Sequence, residues 1–171
     1  EDILSRLSKC EKFCPQFHLS LQSGSDGTLK RMNRHYTSSE YMEIVNNIRS
    51  KFNNPGFTTD VMGGFPGADE KEFSESLSFV EAVGFAKVHV FPYSRRSGTV
   101  ADRMPLQLTK SIKEERARIM SEMAERKRQE AKELAAQGIT TAAETTAAVA
   151  EEEHDHDHDT TTEKKPVSGL K

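Results

Sequence analysis

Three short turns hold the residue types best suited to binding chemistry: Gln22 to Ser25 (QSGS), Gly63 to Gly67 (GGFPG) and Tyr93 to Thr99 (YSRRSGT). The amide of Gln22 and the hydroxyls of Ser23 and Ser25 offer hydrogen-bond donors and acceptors. Gly63 and Gly64 lack a Cβ, so a flat ring can approach the backbone there. Tyr93, Ser94 and Arg96 add a phenol, a hydroxyl and a guanidinium able to pair with a carboxylate or a phosphate. Gly, Ser and Pro also serve ordinary turns. What points to a binding rim is that the arrangement occurs three times, each after a short apolar run and before a helical pattern, where a parallel α/β barrel carries its ligand loops.

The elements that would position these turns follow from periodicity. Phe17, Leu19 and Leu21 alternate with His18, Ser20 and Gln22, which predicts a strand over 17–21. A short helix is expected over 26–33. Thr37 with Glu40 reads as a capping box opening a longer helix with an apolar stripe of Tyr41, Ile44, Val45, Ile48 and Phe52. Residues 58–62 and 87–91 are predicted strands. Between them, Asp69 with Glu72 caps a helix whose stripe is Phe73, Leu77, Val80 and Val83, ended by Gly84. Strand, helix, strand, helix, strand at this spacing implies a parallel sheet with right-handed crossovers. A last, charged helix is predicted over 111–137, opened by Ser111 with Glu114 and carrying a thin stripe of Ile112, Ile119, Met123 and Leu134.

The chain has 171 residues, 35% hydrophobic, which suits one small domain with a modest core. Charge is uneven: residues 1–137 hold 21 basic and 19 acidic side chains, whereas 138–171 hold eight acidic residues against three Lys. That second stretch is rich in Thr, Ala and Glu and is predicted disordered, because little apolar surface offsets the cost of ordering it. Its run from His154 to Asp159 reads as a solvated acidic tail, weak metal chelation being the alternative. No apolar stretch approaches the roughly 20 residues that cross a bilayer, and a soluble cytoplasmic protein is expected. The chain starts without Met on Glu1 and Asp2, leading into Ile3, Leu4 and Leu7, which reads as the end of a helix already under way and suggests a fragment. Two cysteines, Cys10 and Cys14, are too few for a disulfide scaffold, and Cys14 is placed at the start of the first strand.

Taken together, HLSLQSGSDGTLKRMNRHYT (His18 to Thr37), TDVMGGFPG (Thr59 to Gly67) and KVHVFPYSRRSGTVADRM (Lys87 to Met104) resemble the radical S-adenosylmethionine methylthiotransferases. The VHVFPYSRRSGT and MNRHYT segments resemble the bacterial branch acting on threonylcarbamoyladenosine in tRNA more than those acting on isopentenyladenosine or on a ribosomal protein. The likeness covers about residues 1–137. It implies an α/β fold, namely the carboxy-terminal half of a (β/α) barrel of about three βα units over residues 1–110. It also implies S-adenosylmethionine and [4Fe-4S] clusters as cofactors, and insertion of a methylthio group at carbon 2 of adenosine 37 in the tRNA anticodon loop. The cofactor-binding residues implied are Gln22, Ser23, Ser25, Asp60, Gly63, Gly64, Tyr93, Ser94 and Arg96. His18, Ser20, Gln22, Asp60 and His89 would face the barrel lumen. Lys30, Arg31, Arg34, Arg95, Arg96 and Arg103 form a basic patch that suits RNA phosphates, surface solubility being the ordinary alternative.

Two departures matter. Ala68 and Asp69 stand where the family pattern continues GFPG with Glu and Thr. Cys10 and Cys14 have the first spacing of the family's C-x3-C-x2-C cluster motif, but Phe17 occupies its third position, and a cluster is held by thiolates. The family's amino-terminal cluster domain and carboxy-terminal RNA-binding domain are not in this sequence. The isolated chain is therefore expected to be inactive. The competing reading is a non-catalytic half-barrel module binding RNA or a partner protein.

Overall fold

Three strands pair in parallel as the spacing implies, in a computed structural model that describes residues 2–137. Among the described residues the order is α1 (Ile3–Leu7), β1 (Gln16–His18), α2 (Asp26–Arg31), α3 (Ser38–Lys51), β2 (Gly56–Gly63), α4 (Glu70–Val83), β3 (Lys87–Pro92), α5 (Val100–Arg103) and α6 (Lys110–Ala136). The sheet order is β1-β2-β3, with His18 opposite Thr58 and Asp60 opposite His89. The chain falls into two units, Glu1–Glu133 and Leu134–Lys171. Of the second, the described residues are Leu134–Gln137, the last turn of α6. The expected disordered tail, with its His-Asp run, lies outside the described residues.

The strict alternation of burial along β2 gives the sheet two unlike faces. Phe57, Thr59 and Val61 turn toward the helices, where they meet Val45 and Ile48 of α3, Val80 and Val83 of α4, and Met120 and Met123 of α6 in one core. Thr58, Asp60 and Met62 lie on the other face beside exposed His18, Lys87, His89 and Phe91. No helix covers that face among the described residues. The outer edges of β1 and β3 have no ladder partner there either.

β1 is shorter than the alternation suggested, because its ladder is interrupted by a bulge. Between the pairs His18↔Thr58 and Gln22↔Val61, the first strand advances four residues while β2 advances three. The extra residue strands backbone groups that need partners. Fully buried Thr59 supplies two: its hydroxyl accepts from the Leu21 N–H at 2.9 Å and donates to the Leu19 carbonyl at 2.6 Å. The Tyr41 hydroxyl donates to Leu19 O at 2.7 Å, and Tyr36 donates to Leu21 O and Ser20 O at 2.8 and 3.0 Å. Burial raises both phenol pKa values, that of Tyr41 to about 12.

Several local expectations need correction. α6 is capped by Thr109, whose Oγ accepts from the Ile112 N–H, so Ser111 and Glu114 form no box. Its buried stripe is Arg116, Ala117, Met120 and Met123, while Ile112 is 39% exposed. On α3, Ile44 is 49% exposed, leaving Tyr41, Val45 and Ile48 as the buried line, and the Thr37–Glu40 box forms as expected. Asp69 caps α4, but Glu72 does not close the box because its carboxylate is engaged elsewhere. α1 has its own cap, Asp2 accepting from the Ser5 N–H at 2.9 Å. Cys14 precedes β1, which starts at Gln16. The short α5 carried no periodic apolar signal and was not anticipated.

Two measurements test this lattice of bonds. Thr59→Val keeps shape but strands the Leu21 N–H; chemical denaturation is expected to give a loss of about 2–3 kcal/mol, with Thr59→Ser close to the parent. Because the folded Tyr41 pKa of about 12 lies above its ordinary value of 10.0, its stabilising effect is complete below pH 10 and is lost as pH rises through 12. Tyrosinate absorbance should therefore show one phenol titrating near 12 until the protein unfolds.

Candidate functional site

All three turns follow the carboxyl ends of parallel strands and meet side by side. The Met62 N–H donates to Gln22 O at 2.9 Å, the Gln22 N–H to Asp60 O at 2.8 Å, and the Tyr93 N–H to Gly63 O at 2.8 Å. Gln22 sits at φ 69, a left-handed conformation uncommon for a residue with a side chain. It falls at the end of the bulge, where Gln22 rejoins the ladder opposite Val61.

The first turn is clamped onto α4. The Ser76 hydroxyl accepts from the Gly24 N–H at 2.9 Å, and the Ser25 hydroxyl donates to Glu75 Oε2 at 2.8 Å. Ser23 is 4% exposed and accepts from the Ser25 N–H at 3.2 Å. The serines thus hold the turn itself together, which leaves the Gln22 amide as its half-buried polar group at the rim.

The second turn is held by two arginines. From α2, Arg31 donates Nε to Pro66 O at 3.2 Å and pairs with both carboxylate oxygens of Glu72. From α6, Arg116 is 4% exposed, donates to Ala68 O at 2.7 Å and to Glu70 Oε1 at 2.6 Å, and lies over the Phe73 ring at 5.1 Å. Its Nε has no partner, and the cavity beside it, about 20 Å³, has room for roughly one water. Ala68 is buried at 7% exposure. A Cβ at Gly63 would lie 3.0 Å from Ala117 N; one at Gly64, whose φ is +78, would lie 2.5 Å from Lys113 Cγ. The side-chain directions of both glycines are therefore filled by α6, so their first use is to admit that helix.

In the third turn, Tyr93 is 7% exposed, packs edge-on against Phe65 at 5.4 Å and lies under the Lys113 ammonium at 5.4 Å. Its buried hydroxyl has no partner. Ser94 and Arg96 are exposed, while Arg95 pairs with Asp102 at 2.9 Å. Of the predicted basic patch, Arg31 and Arg95 are thus tied to carboxylates, whereas Lys30, Arg34 and Arg96 are exposed without a carboxylate partner among the described residues.

Asp60 lies on the uncovered face, 3.5 Å from His18 Nε2. His18 Nδ1 meets Thr58 Oγ1 at 3.0 Å, and Ser20 Oγ approaches Nε2 at 3.4 Å. Serine and aspartate thus approach the same ring nitrogen. A hydrolytic triad needs them on opposite nitrogens, so this constellation is no acyl-transfer site. Sequence reasoning missed Thr59 and Arg116, and read Glu72 only as a cap partner of Asp69, whereas all three hold the turns. Cys10 and Cys14 are exposed free thiols, and no group of three or more His, Cys, Asp or Glu is gathered as a metal site among the described residues. No described helix is long and apolar enough to cross a membrane.

Residues 1–80 match the Radical SAM superfamily. Over 115 residues, 67% of this chain, it is 44% identical to tRNA-2-methylthio-N(6)-dimethylallyladenosine synthase of Clostridium beijerinckii. Over 116 residues it is 42% identical to the enzyme of that name from Clostridium perfringens and 40% to that from Clostridium botulinum. The chain spans about a quarter of the length of these relatives.

The packing of α6 on the second turn is open to a simple comparison. Gly64→Ala meets both a left-handed φ and Lys113, so calorimetry should show a loss of about 2–4 kcal/mol. Gly98→Ala, with φ +85 and open space around it, should cost only about 1–2 kcal/mol. Equal losses would mean that α6 does not rest on Gly64.

Proposed function

We propose that this chain is the carboxy-terminal part of the barrel of a radical S-adenosylmethionine tRNA methylthiotransferase, acting in the cytoplasm. The observation that carries the reading is the meeting of three polar turns at the carboxyl ends of parallel strands, in a segment 44% identical to a tRNA methylthiotransferase. The relatives support the methylthiotransferase family. In this reading the whole protein carries out the methylthiolation and this part alone is inactive.

The donor set suits S-adenosylmethionine in part. Gln22 and Asp60 lie on the accessible side of the rim, and Arg96 is exposed where a carboxylate could reach it. The orphaned Tyr93 hydroxyl is a donor in want of an acceptor. Ser23, Ser25, Gly63 and Gly64 act one step back, by holding the turns in place. Bound at such a rim, the cofactor supplies radical chemistry; this chain's residues supply binding and orientation. A [4Fe-4S] cluster does not fit the described residues, which gather no set of three thiolates. Exposed Lys30, Arg34 and Arg96 would meet anticodon-loop phosphates.

The substrate is the finer step. The VHVFPYSRRSGT and MNRHYT segments favour N6-threonylcarbamoyladenosine, whereas the relatives are named for dimethylallyladenosine. Deleting the gene that encodes this chain and measuring tRNA nucleosides by mass spectrometry separates the two. Loss of 2-methylthio-N6-threonylcarbamoyladenosine is expected. Loss of the dimethylallyl product instead would assign the other branch, and no change in either would overturn the reading.

A further inference from the structure

The helix-covered face of the sheet is explained by its core; the other face is not. Along it run His18 and Ser20 from the first strand and its extension, Thr58 and Asp60 from β2, and Lys87 and His89 from β3, with Met62 and Phe91 as its apolar members near the rim. Ladder partners in a parallel sheet share a face, so Asp60 and His89 are neighbours. His18 is fixed from two sides, by Thr58 at Nδ1 and by Ser20 and Asp60 at Nε2. The carboxylate of Asp60 is thereby oriented, while His89 is exposed and has no hydrogen-bond partner among the described residues.

We infer that Asp60 and His89 determine specificity by recognising a polar, hydrogen-bonding substituent on the target adenine, with His18 as a positioning residue. This rests on the tRNA reading above. A carboxylate beside an imidazole and, two residues away along β3, an ammonium offers one acceptor and two donors. A urea-linked amino acid presents N–H and hydroxyl donors together with carbonyl and carboxylate acceptors, and matches that set. A dimethylallyl group presents no polar atom, and desolvating this face against it would leave His89 and Lys87 unpaired and Asp60 with His18 alone. A site built from polar groups rejects an analogue that cannot pair with them more strongly than an apolar pocket rejects a polar one.

The test uses the full 171-residue chain and three anticodon stem-loop RNAs of one sequence, with adenosine 37 unmodified, N6-threonylcarbamoylated or N6-dimethylallylated, followed by fluorescence anisotropy. The threonylcarbamoyl RNA is expected to bind at least tenfold more tightly than the dimethylallyl RNA. His89→Phe should bring that ratio within twofold while leaving affinity for the unmodified RNA unchanged, and Asp60→Leu should also bring the ratio within twofold. His18→Gln should reduce the preference partly. Equal binding of the two modified RNAs, or a preference that survives both substitutions, overturns the inference and leaves the tRNA reading standing. Failure to bind any of the three RNAs more tightly than an unrelated hairpin also overturns the inference, whereas the tRNA reading stands or falls on the nucleoside measurement above. Circular dichroism of each variant separates a lost preference from a lost fold.

Discussion

A single buried hydroxyl sets the geometry on which the rim depends. Thr59 stands on the core face of the central strand, where an apolar β-branched residue would pack equally well. Instead it reaches across to the bulged end of the neighbouring strand and satisfies one donor and one acceptor. Two tyrosines from α3 and the segment before it complete the pairing of three consecutive carbonyls, those of Leu19, Ser20 and Leu21. At the end of the bulge Gln22 takes a left-handed conformation and the chain is redirected onto α4. Without that redirection the first polar turn would continue in line with its strand and miss the other two.

The second turn depends on charge rather than hydroxyls. Arg31 and Arg116 approach it from opposite elements and bind carbonyls of adjacent stretches, Pro66 and Ala68. Each arginine is also paired with a carboxylate of α4, Glu72 and Glu70 respectively. Glu72 is the less exposed of these carboxylates, at 16% against 84%. In the other pair it is the arginine that is shielded, Arg116 at 5% against 34% for Arg31, so each pair buries one partner and differs from a fully exposed pair, worth about 0–1 kcal/mol. The consequence for function is a division of labour within the basic residues: those nearest the turn build it, and those left exposed remain available to a polyanion.

The parallel sheet, the order of its elements and the rim were legible in the sequence because they depend on periodicities of two and 3.6 and on caps with strong local signatures. The Thr37–Glu40 box and the Gly84 end of α4 are of this kind. What sequence could not supply was any feature settled by a distant partner. Ser111 with Glu114 has the spacing of a box, yet Thr109 takes the cap. Ile112 looks like core and is 39% exposed, whereas Arg116, the least core-like residue of its turn, is 4% exposed. In each case the deciding term is a partner from another element, which spacing along one helix does not encode. The same holds at the site: Ser25 reads as a ligand donor until Glu75 appears beside it.

The two glycines of the second turn show how one residue type can satisfy a fold and a site at once. Their side-chain directions are closed by Ala117 and Lys113, so α6 requires them whatever binds at the rim. Close approach of α6 in turn brings Lys113 over Tyr93 and Arg116 against Ala68, tying all of the second turn and the start of the third to one helix. A ligand at the rim would therefore meet turns stiffened from behind, and would approach from the polar face of the sheet, which no described helix obstructs. That asymmetry, a packed back and an open polar front, is what allows a three-stranded segment to hold a defined rim. The alternating burial along β2 is its direct imprint in the chain.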